Sequence, residues 1–271
     1  MPPGLGAGAG GAPPGLAAAA APRLDLLAVD GGSVAPAAAI ALRRGGQSVK
    51  VLQDGLVVLR GALSVEAQQA VVRLCRDYGV GGSGFYVPQT RGGAMHMHML
   101  CLGKHWDALT QRYEDTRTNV DGATVPPLPQ ELWQLVEAAA AAASEACPSI
   151  PSLSPGVALV NFYGHAGRLG MHQDKSEGRD SLARGAPVVS LSIGDSCDFA
   201  YSESRPDGAD AVEARLGSAR QKSVRLDSGD VLLFGGPARM LFHGVTKIHA
   251  NHRPKELRML PGRLNLTFRE L

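Results

Sequence analysis

The second half of the chain narrows the fold most. From Gly156 onward, "GVALVNFY", "PVVSLSIGDSCDFAYS", "KSVRLDSGDVLLFGG", "RMLFHGVTKI" and "GRLNLTFREL" are rich in Val, Leu, Phe and Ser, and Gly, Asp or Pro punctuates them. Strand-like runs this closely spaced leave no room for crossover helices. They predict an antiparallel sandwich or barrel. Earlier, "VKVLQDGLVVLRGAL" reads as strand, Asp-Gly turn and strand. Ser64 is placed to cap a helix over "VEAQQAVVRLCRDYG", ending at Gly79, with Ala67, Ala70, Val71 and Leu74 at helical spacing. A second helix is expected from Pro129 to Ala146, after a proline cluster. Both should pack on one side of the strands. The chain is therefore mostly β with α.

Residues 1–22 are Gly, Ala and Pro almost throughout and offer nothing to bury in a core. We expect residues 1–48 to form a disordered N-terminal segment and 49–271 to form one domain. The tail lacks acidic residues, as organelle transit peptides do, but it also lacks their Arg and Ser. An intracellular protein of nucleus or cytoplasm is expected, with a plastid or mitochondrial address left open. No apolar run reaches the ~18–20 residues of a membrane span, so no membrane partner is expected. Cys75, Cys101, Cys147 and Cys197 are scattered without a C-x-x-C pair. That disfavours a disulfide framework or a thiolate zinc site and fits reduced, buried thiols. The formal net charge of +2 permits an anionic partner without demanding one.

Two features carry chemistry. In "GRLGMHQDKSEG", His172 and Asp174 are separated by one residue, so on a strand both face one side. His243, in "RMLFHGV" on another predicted strand, is the best third ligand. Two imidazoles and a carboxylate on one face of an octahedral ion leave three positions open, as in non-haem Fe(II) oxygenases. Zinc accepts the same donors, so the ligand types leave the metal open. "MHMHM" at 95–99 offers His96 and His98 on one face, but no carboxylate is near in sequence. A polar strand face is the reading there. The second feature is "RLNLTFR", where Arg263, Asn265, Thr267 and Arg269 alternate with Leu264, Leu266 and Phe268. Two cations on an inward face are costly unless they meet anions. Arginine forks suit carboxylates, so a dicarboxylic co-substrate would use both.

Together, "NFYGHAGRLGMHQDKSE", "SGDVLLFGGPARMLFHGV" and "RLNLTFR" resemble the AlkB family of Fe(II)/2-oxoglutarate-dependent dioxygenases, nearest its AlkB-homologue-1-like members of plants and bacteria. The resemblance covers roughly residues 50 to 271. It implies a double-stranded β-helix (jelly roll) core with supporting N-terminal helices. By position, His172, Asp174 and His243 would ligate Fe(II). Arg263 would hold the distal carboxylate of 2-oxoglutarate, Arg269 would lie near its C1 carboxylate, and Asn161, Tyr163 and Asn265 would be polar partners. "GGAMHMHMLCLGKHWDALTQRY" resembles the nucleotide-recognition lid, with Trp106 and Tyr113 at substrate-touching positions. Ser176 stands where repair-type members carry an acidic residue facing the base, which unsettles the base preference. The implied reaction uses O2 to demethylate N-methylated bases of DNA or RNA, releasing formaldehyde, succinate and CO2. The base would be single-stranded or flipped and the enzyme a monomer. Lys247, Arg253, Lys255 and Arg258 are candidate phosphate contacts. The alternative is a 2-oxoglutarate-dependent hydroxylase of a protein or small molecule, with the same core and no oligonucleotide binding.

Overall fold

A computed structural model describes residues 25–28, 40–43, 45, 47–82, 84–164, 167–205 and 221–271. The chain opens with the hairpin β1 (Ser48–Gln53) and β2 (Leu56–Arg60), turning at Asp54-Gly55. Helix α1 (Val65–Val80) follows. Short hairpins come next, β3 (Gln89–Thr90) with β4 (Gly93–Ala94), then β5 (His98–Leu102), then β6 (His105–Asp107) with β7 (Arg112–Glu114). Helix α2 (Gln130–Ala146) leads into β8 (Val157–Tyr163), β9 (Leu169–His172) and α3 (Arg179–Arg184). The chain ends with β10 (Val188–Gly194), β11 (Ser196–Ser202), β12 (Lys222–Leu226), β13 (Val231–Phe234), β14 (Phe242–His249) and β15 (Arg263–Arg269).

A seven-stranded sheet runs β1-β2-β13-β10-β15-β8-β5, and a four-stranded sheet runs β12-β11-β14-β9. Every pairing is antiparallel. The layers follow from strand alternation. Val160, Phe162, Val189, Leu191, Leu264, Leu266 and Phe268 face one way and share a core with Val71, Val72 and Cys75 of α1 and Leu132, Leu135 and Val136 of α2. Leu56, Val58, Leu159, Leu232 and Phe234 face the other way, against Cys197, Phe199 and Tyr201 of the smaller sheet. The result is helices, large sheet and small sheet in three layers, the jelly-roll arrangement expected from the sequence.

Helix α1 starts as the sequence predicts. The Ser64 hydroxyl accepts from the Ala67 backbone N–H at 3.2 Å. Ser64→Ala should destabilise the fold by about 1 kcal/mol, read as a lower urea midpoint at unchanged m-value. The helix end differs from expectation. Gly79 lies inside α1, and a Cβ there would meet the Phe85 ring at 2.6 Å, so this glycine serves packing. Gly81 is the terminator, its N–H donating to Asp77 O at 3.1 Å.

Two further expectations change. "PVVSLSIGDSCDFAYS" is not one strand. It breaks after Gly194, whose φ is +88° and where a Cβ would meet Gly262 O at 2.4 Å, so β10 and β11 lie in different sheets. Order also reaches further towards the N-terminus than residue 49. Leu26 and Leu27 are buried in the helix-side core, and Asp25 pairs with Arg76 at 2.6 Å. Residues 1–22 lie outside the described residues. The four cysteines are free and buried, and among the described residues no helix is long and apolar enough to cross a membrane.

Candidate metal centre and co-substrate cleft

His172 ends β9, the edge of the smaller sheet, and lies directly across from His243 on β14. Gly244 allows that approach, since a Cβ there would meet Leu169 O at 2.6 Å. Asp174 follows two residues past the strand. The three ligand atoms all lie within 4.8 Å of one another. His172 Nε2 is 3.5 Å from Asp174 Oδ1, and His243 Nε2 is 3.8 Å from Asp174 Oδ2. Each imidazole's Nδ1 faces a backbone carbonyl, Gly170 O at 2.9 Å and Leu241 O at 3.0 Å. A carbonyl can only accept, so Nδ1 carries the proton and Nε2 keeps its lone pair for a metal.

Electrostatics agree with a cation site. His243 packs between Phe199 and Phe234, with ring centroids 5.6 and 4.7 Å away. Burial, reinforced by His172, pushes its pKa down to about 4, so the ring is neutral. Burial would raise the Asp174 carboxyl, but Arg269 and the two histidines outweigh it and hold it well below the usual range. Burial lowers His172, and its bond to Asp174 more than reverses that. Two neutral-capable imidazoles and one ionised carboxylate suit a divalent first-row metal.

Beside the triad, the inter-sheet face of the large sheet turns polar. Arg263 lies opposite Tyr163, and Asn265 lies between Asn161 and Ser192. Thr267 and Ser190 continue the stripe. Arg263 is 1% exposed. Its Nη2 donates to Ser192 Oγ at 3.0 Å, while its Nε and Nη1 have no partner. Asn161 Oδ1 and Arg269 Nη1 are likewise buried without partners. Buried polar atoms are normally satisfied. The unsatisfied Arg263 and Arg269 nitrogens are donors that fit a carboxylate-bearing molecule such as 2-oxoglutarate, while Asn161 Oδ1 is an acceptor left open. Arg269 is pinned differently, donating to Asp174 Oδ2 from Nε at 3.0 Å and from Nη2 at 2.7 Å.

A cavity of about 580 Å³ opens onto the triad, floored by Asn161, His172, Asp174 and Arg269. The β6–β7 hairpin roofs it, with Trp106 and Tyr113 as a cross-strand pair. The Trp106 indole N–H donates to Ser176 Oγ at 3.1 Å, and the Tyr113 hydroxyl donates to Glu177 Oε1 at 3.0 Å. Both aromatics are thus tied to consecutive residues of the ligand loop. Ser176, read from the sequence as facing the base, holds the lid tryptophan.

Other expectations fare differently. Met95, Met97 and Met99 form the cavity wall, and His96 and His98 alternate away from it. Among the described residues, His172, Asp174 and His243 form the one cluster of metal-ligating groups. Lys247, Arg253, Lys255 and Arg258 line no part of the cavity, and the Arg258 backbone lies against Gln69 of α1. The cavity's cations are Arg91, Lys175, Arg205 and Arg269. Sequence reasoning missed Glu177 and Arg239, both buried beside the triad. Arg239 has one signal, a charged residue inside the otherwise apolar run "GGPARMLFHG", whereas Glu177 stands in the polar run "HQDKSEGRD" and has none.

A jelly roll carrying this triad and this arginine-asparagine floor belongs to the 2-oxoglutarate/Fe(II) oxygenases, and the chain matches the 2OG-Fe(II) oxygenase superfamily over residues 55–269. Within it, the chain is 30% identical to Escherichia coli AlkB over 81% of this chain and 91% of that protein. It is 42% identical to the Arabidopsis thaliana protein named DNA N(6)-methyladenine demethylase ALKBH1C, over 83% of this chain and 50% of that one. The solved structure of OsALKBH1 superposes with a TM-score of 0.74 at 39% identity, covering 83% of this chain and all of that one. The chain belongs to the AlkB family, whose superfamily cofactors are Fe(II), 2-oxoglutarate and O2. It spans about half the length of the Arabidopsis relatives it matches.

Proposed function

We propose that this domain is an oxidative demethylase of N-methylated bases in nucleic acid. The observation that carries the reading is the aromatic hairpin roofing the metal cleft, with Trp106 and Tyr113 tied to the loop that bears Asp174. Such a roof suits a planar base taken out of its stack. The names of the relatives support it: Arabidopsis proteins named DNA N(6)-methyladenine demethylase and a Schizosaccharomyces pombe protein named tRNA demethylase abh1.

Iron with 2-oxoglutarate and O2 supplies the oxidising chemistry, giving succinate, CO2 and formaldehyde. The chain's residues bind, orient and shield. His172, Asp174 and His243 hold the metal, and the proton on each Nδ1 fixes ring orientation. Arg263 receives the distal carboxylate, while Arg269, Asn161, Tyr163 and Asn265 complete the co-substrate pocket. Met95, Met97, Met99 and the roof present apolar surface to the methyl group and limit water. Ser176 keeps Trp106 in place. A single-stranded or flipped base enters most readily, because less stacking is lost.

The test is formaldehyde release from DNA and RNA oligonucleotides bearing N6-methyladenine, 1-methyladenine or 3-methylcytosine. Turnover on none of them, with intact 2-oxoglutarate decarboxylation on a protein or small molecule, would overturn the reading. Trp106→Ala should raise the oligonucleotide KM roughly 10- to 100-fold, the ~1–3 kcal/mol of one base stack, and leave the 2-oxoglutarate KM nearly unchanged. Steady-state kinetics varying each substrate separately checks this.

A further inference from the structure

We propose that Arg239, acting through Glu177, is the positioning residue of the metal centre. Arg239 is 2% exposed and satisfies three acceptors with one guanidinium. Its Nε donates to Ala186 O at 2.8 Å, its Nη1 to Asp174 O at 2.6 Å and its Nη2 to Glu177 Oε2 at 2.9 Å. The bond to Asp174 O matters because that residue lies past the end of β9, beyond the β9–β14 pairing. Arg239 thereby fixes the backbone from which a metal ligand projects.

Glu177 extends the hold to the side chain. Its Oε1 accepts from the Tyr113 hydroxyl at 3.0 Å and lies 3.3 Å from Arg269 Nε. Arg269 in turn grips Asp174 Oδ2. Arg239, Glu177, Arg269 and Asp174 form a buried row of alternating charge whose formal sum is zero. Removing the Arg239 charge leaves Glu177 with Arg269 as its one remaining cation in the row. Arg269 is then drawn from Asp174 towards Glu177, and Asp174 loses its backbone anchor and its side-chain orienter together. A lysine cannot replace the fork, since one ammonium cannot meet three acceptors set in a plane. Tyr113 of the lid joins the row at Glu177, so Tyr113 and the metal ligand share one support.

The inference rests on the triad holding a metal, and its test needs no nucleic acid or 2-oxoglutarate. Mn(II) alone is titrated into the protein and free Mn(II) is followed by electron paramagnetic resonance. Loss of binding in Asp174→Ala tests the triad itself, so with that loss established, the Arg239 series is judged separately. Arg239→Lys should weaken Mn(II) roughly 10- to 100-fold, the usual effect of losing an outer-sphere partner. Glu177→Gln, which keeps shape, should weaken it several-fold. The double variant Arg239→Met/Glu177→Gln removes both charges of one pair and should regain thermal stability relative to Arg239→Met. Its Mn(II) affinity should stay at least ~10-fold below wild type. Wild-type affinity in Arg239→Lys or in the double variant would overturn the proposal, because a structural role is restored with stability and a positioning role is not. Should Arg239→Lys fail to fold, Glu177→Gln and the double variant decide the matter alone.

Discussion

Asp174→Ala should abolish metal binding and cut formaldehyde release at least ~10³-fold, about 4 kcal/mol of transition-state stabilisation. The reason is charge. His172 and His243 are neutral donors when they coordinate, so Asp174 is the sole anion of the triad. Without it, a dication would meet two imidazoles and an Arg269 guanidinium whose partner in the triad has gone. Asp174→Asn separates shape from charge. It keeps an oxygen in nearly the same place, yet leaves Arg269 facing the site unneutralised, and should be nearly as inactive. The two variants differ in stability. In both, the buried row Arg239–Glu177–Arg269 carries one excess cation, which costs about 3–5 kcal/mol, and Asp174→Ala adds a small void and the loss of a hydrogen-bond acceptor. Its melting temperature should therefore fall further. His172→Ala should be milder on stability, because that side chain is 35% exposed and water can take its place. Mn(II) titration, formaldehyde release and thermal melts on the three variants check the order. Full metal binding in Asp174→Ala would remove the carboxylate from the site.

What was legible in the sequence is what depends on alternation within one strand. The period of two in "RLNLTFR" placed Leu264, Leu266 and Phe268 on the helix side and Arg263, Asn265 and Arg269 on the inter-sheet side. The same rule groups His172 with Asp174, but β9 ends at His172 and Asp174 lies two residues beyond it. His243, read only as a later histidine on another predicted strand, lies directly across from His172. "MHMHM" shows the limit of that rule. Only His98 and Met99 of this stretch lie in β5, whose pairing with β8 sets Met99 against Asn161. Met95 and Met97 precede the strand, and the chain's path there, not alternation, brings them to the cavity. Arg239 lay beyond reach for a different reason. Its three acceptors are 53, 62 and 65 residues away in the chain. A lone arginine in an apolar run reads equally as a side chain reaching to solvent. The position of the lid was legible through its aromatics, but the partner of Ser176 was not, since the Trp106 indole reaches it from 70 residues away.

Arg263 supplies the second large effect, and its sign is diagnostic. A buried cation ordinarily has a counter-ion, because an isolated one costs several kcal/mol. Arg263 is 1% exposed and, among the described residues, pairs with no carboxylate. We propose the distal carboxylate of 2-oxoglutarate as the missing anion. Arg263→Met removes the charge and keeps most of the apolar stem. Without co-substrate this variant should be as stable as wild type or up to about 4 kcal/mol more stable, as when buried charge gives way to apolar side chains of like size. An arginine kept for structure would show the opposite sign. With Mn(II) present, 2-oxoglutarate should raise the melting temperature of wild type and leave that of Arg263→Met unchanged, since a ligand stabilises only in proportion to its binding. The 2-oxoglutarate KM should rise at least ~100-fold, corresponding to ~2–5 kcal/mol for truncating one side of a buried charge pair. Mn(II) affinity measured without co-substrate should stay within a few-fold of wild type, because Arg263 touches neither the triad nor the Arg239 row. A lower melting temperature together with an unchanged co-substrate KM would mean that this arginine supports the sheet and that the distal carboxylate binds elsewhere.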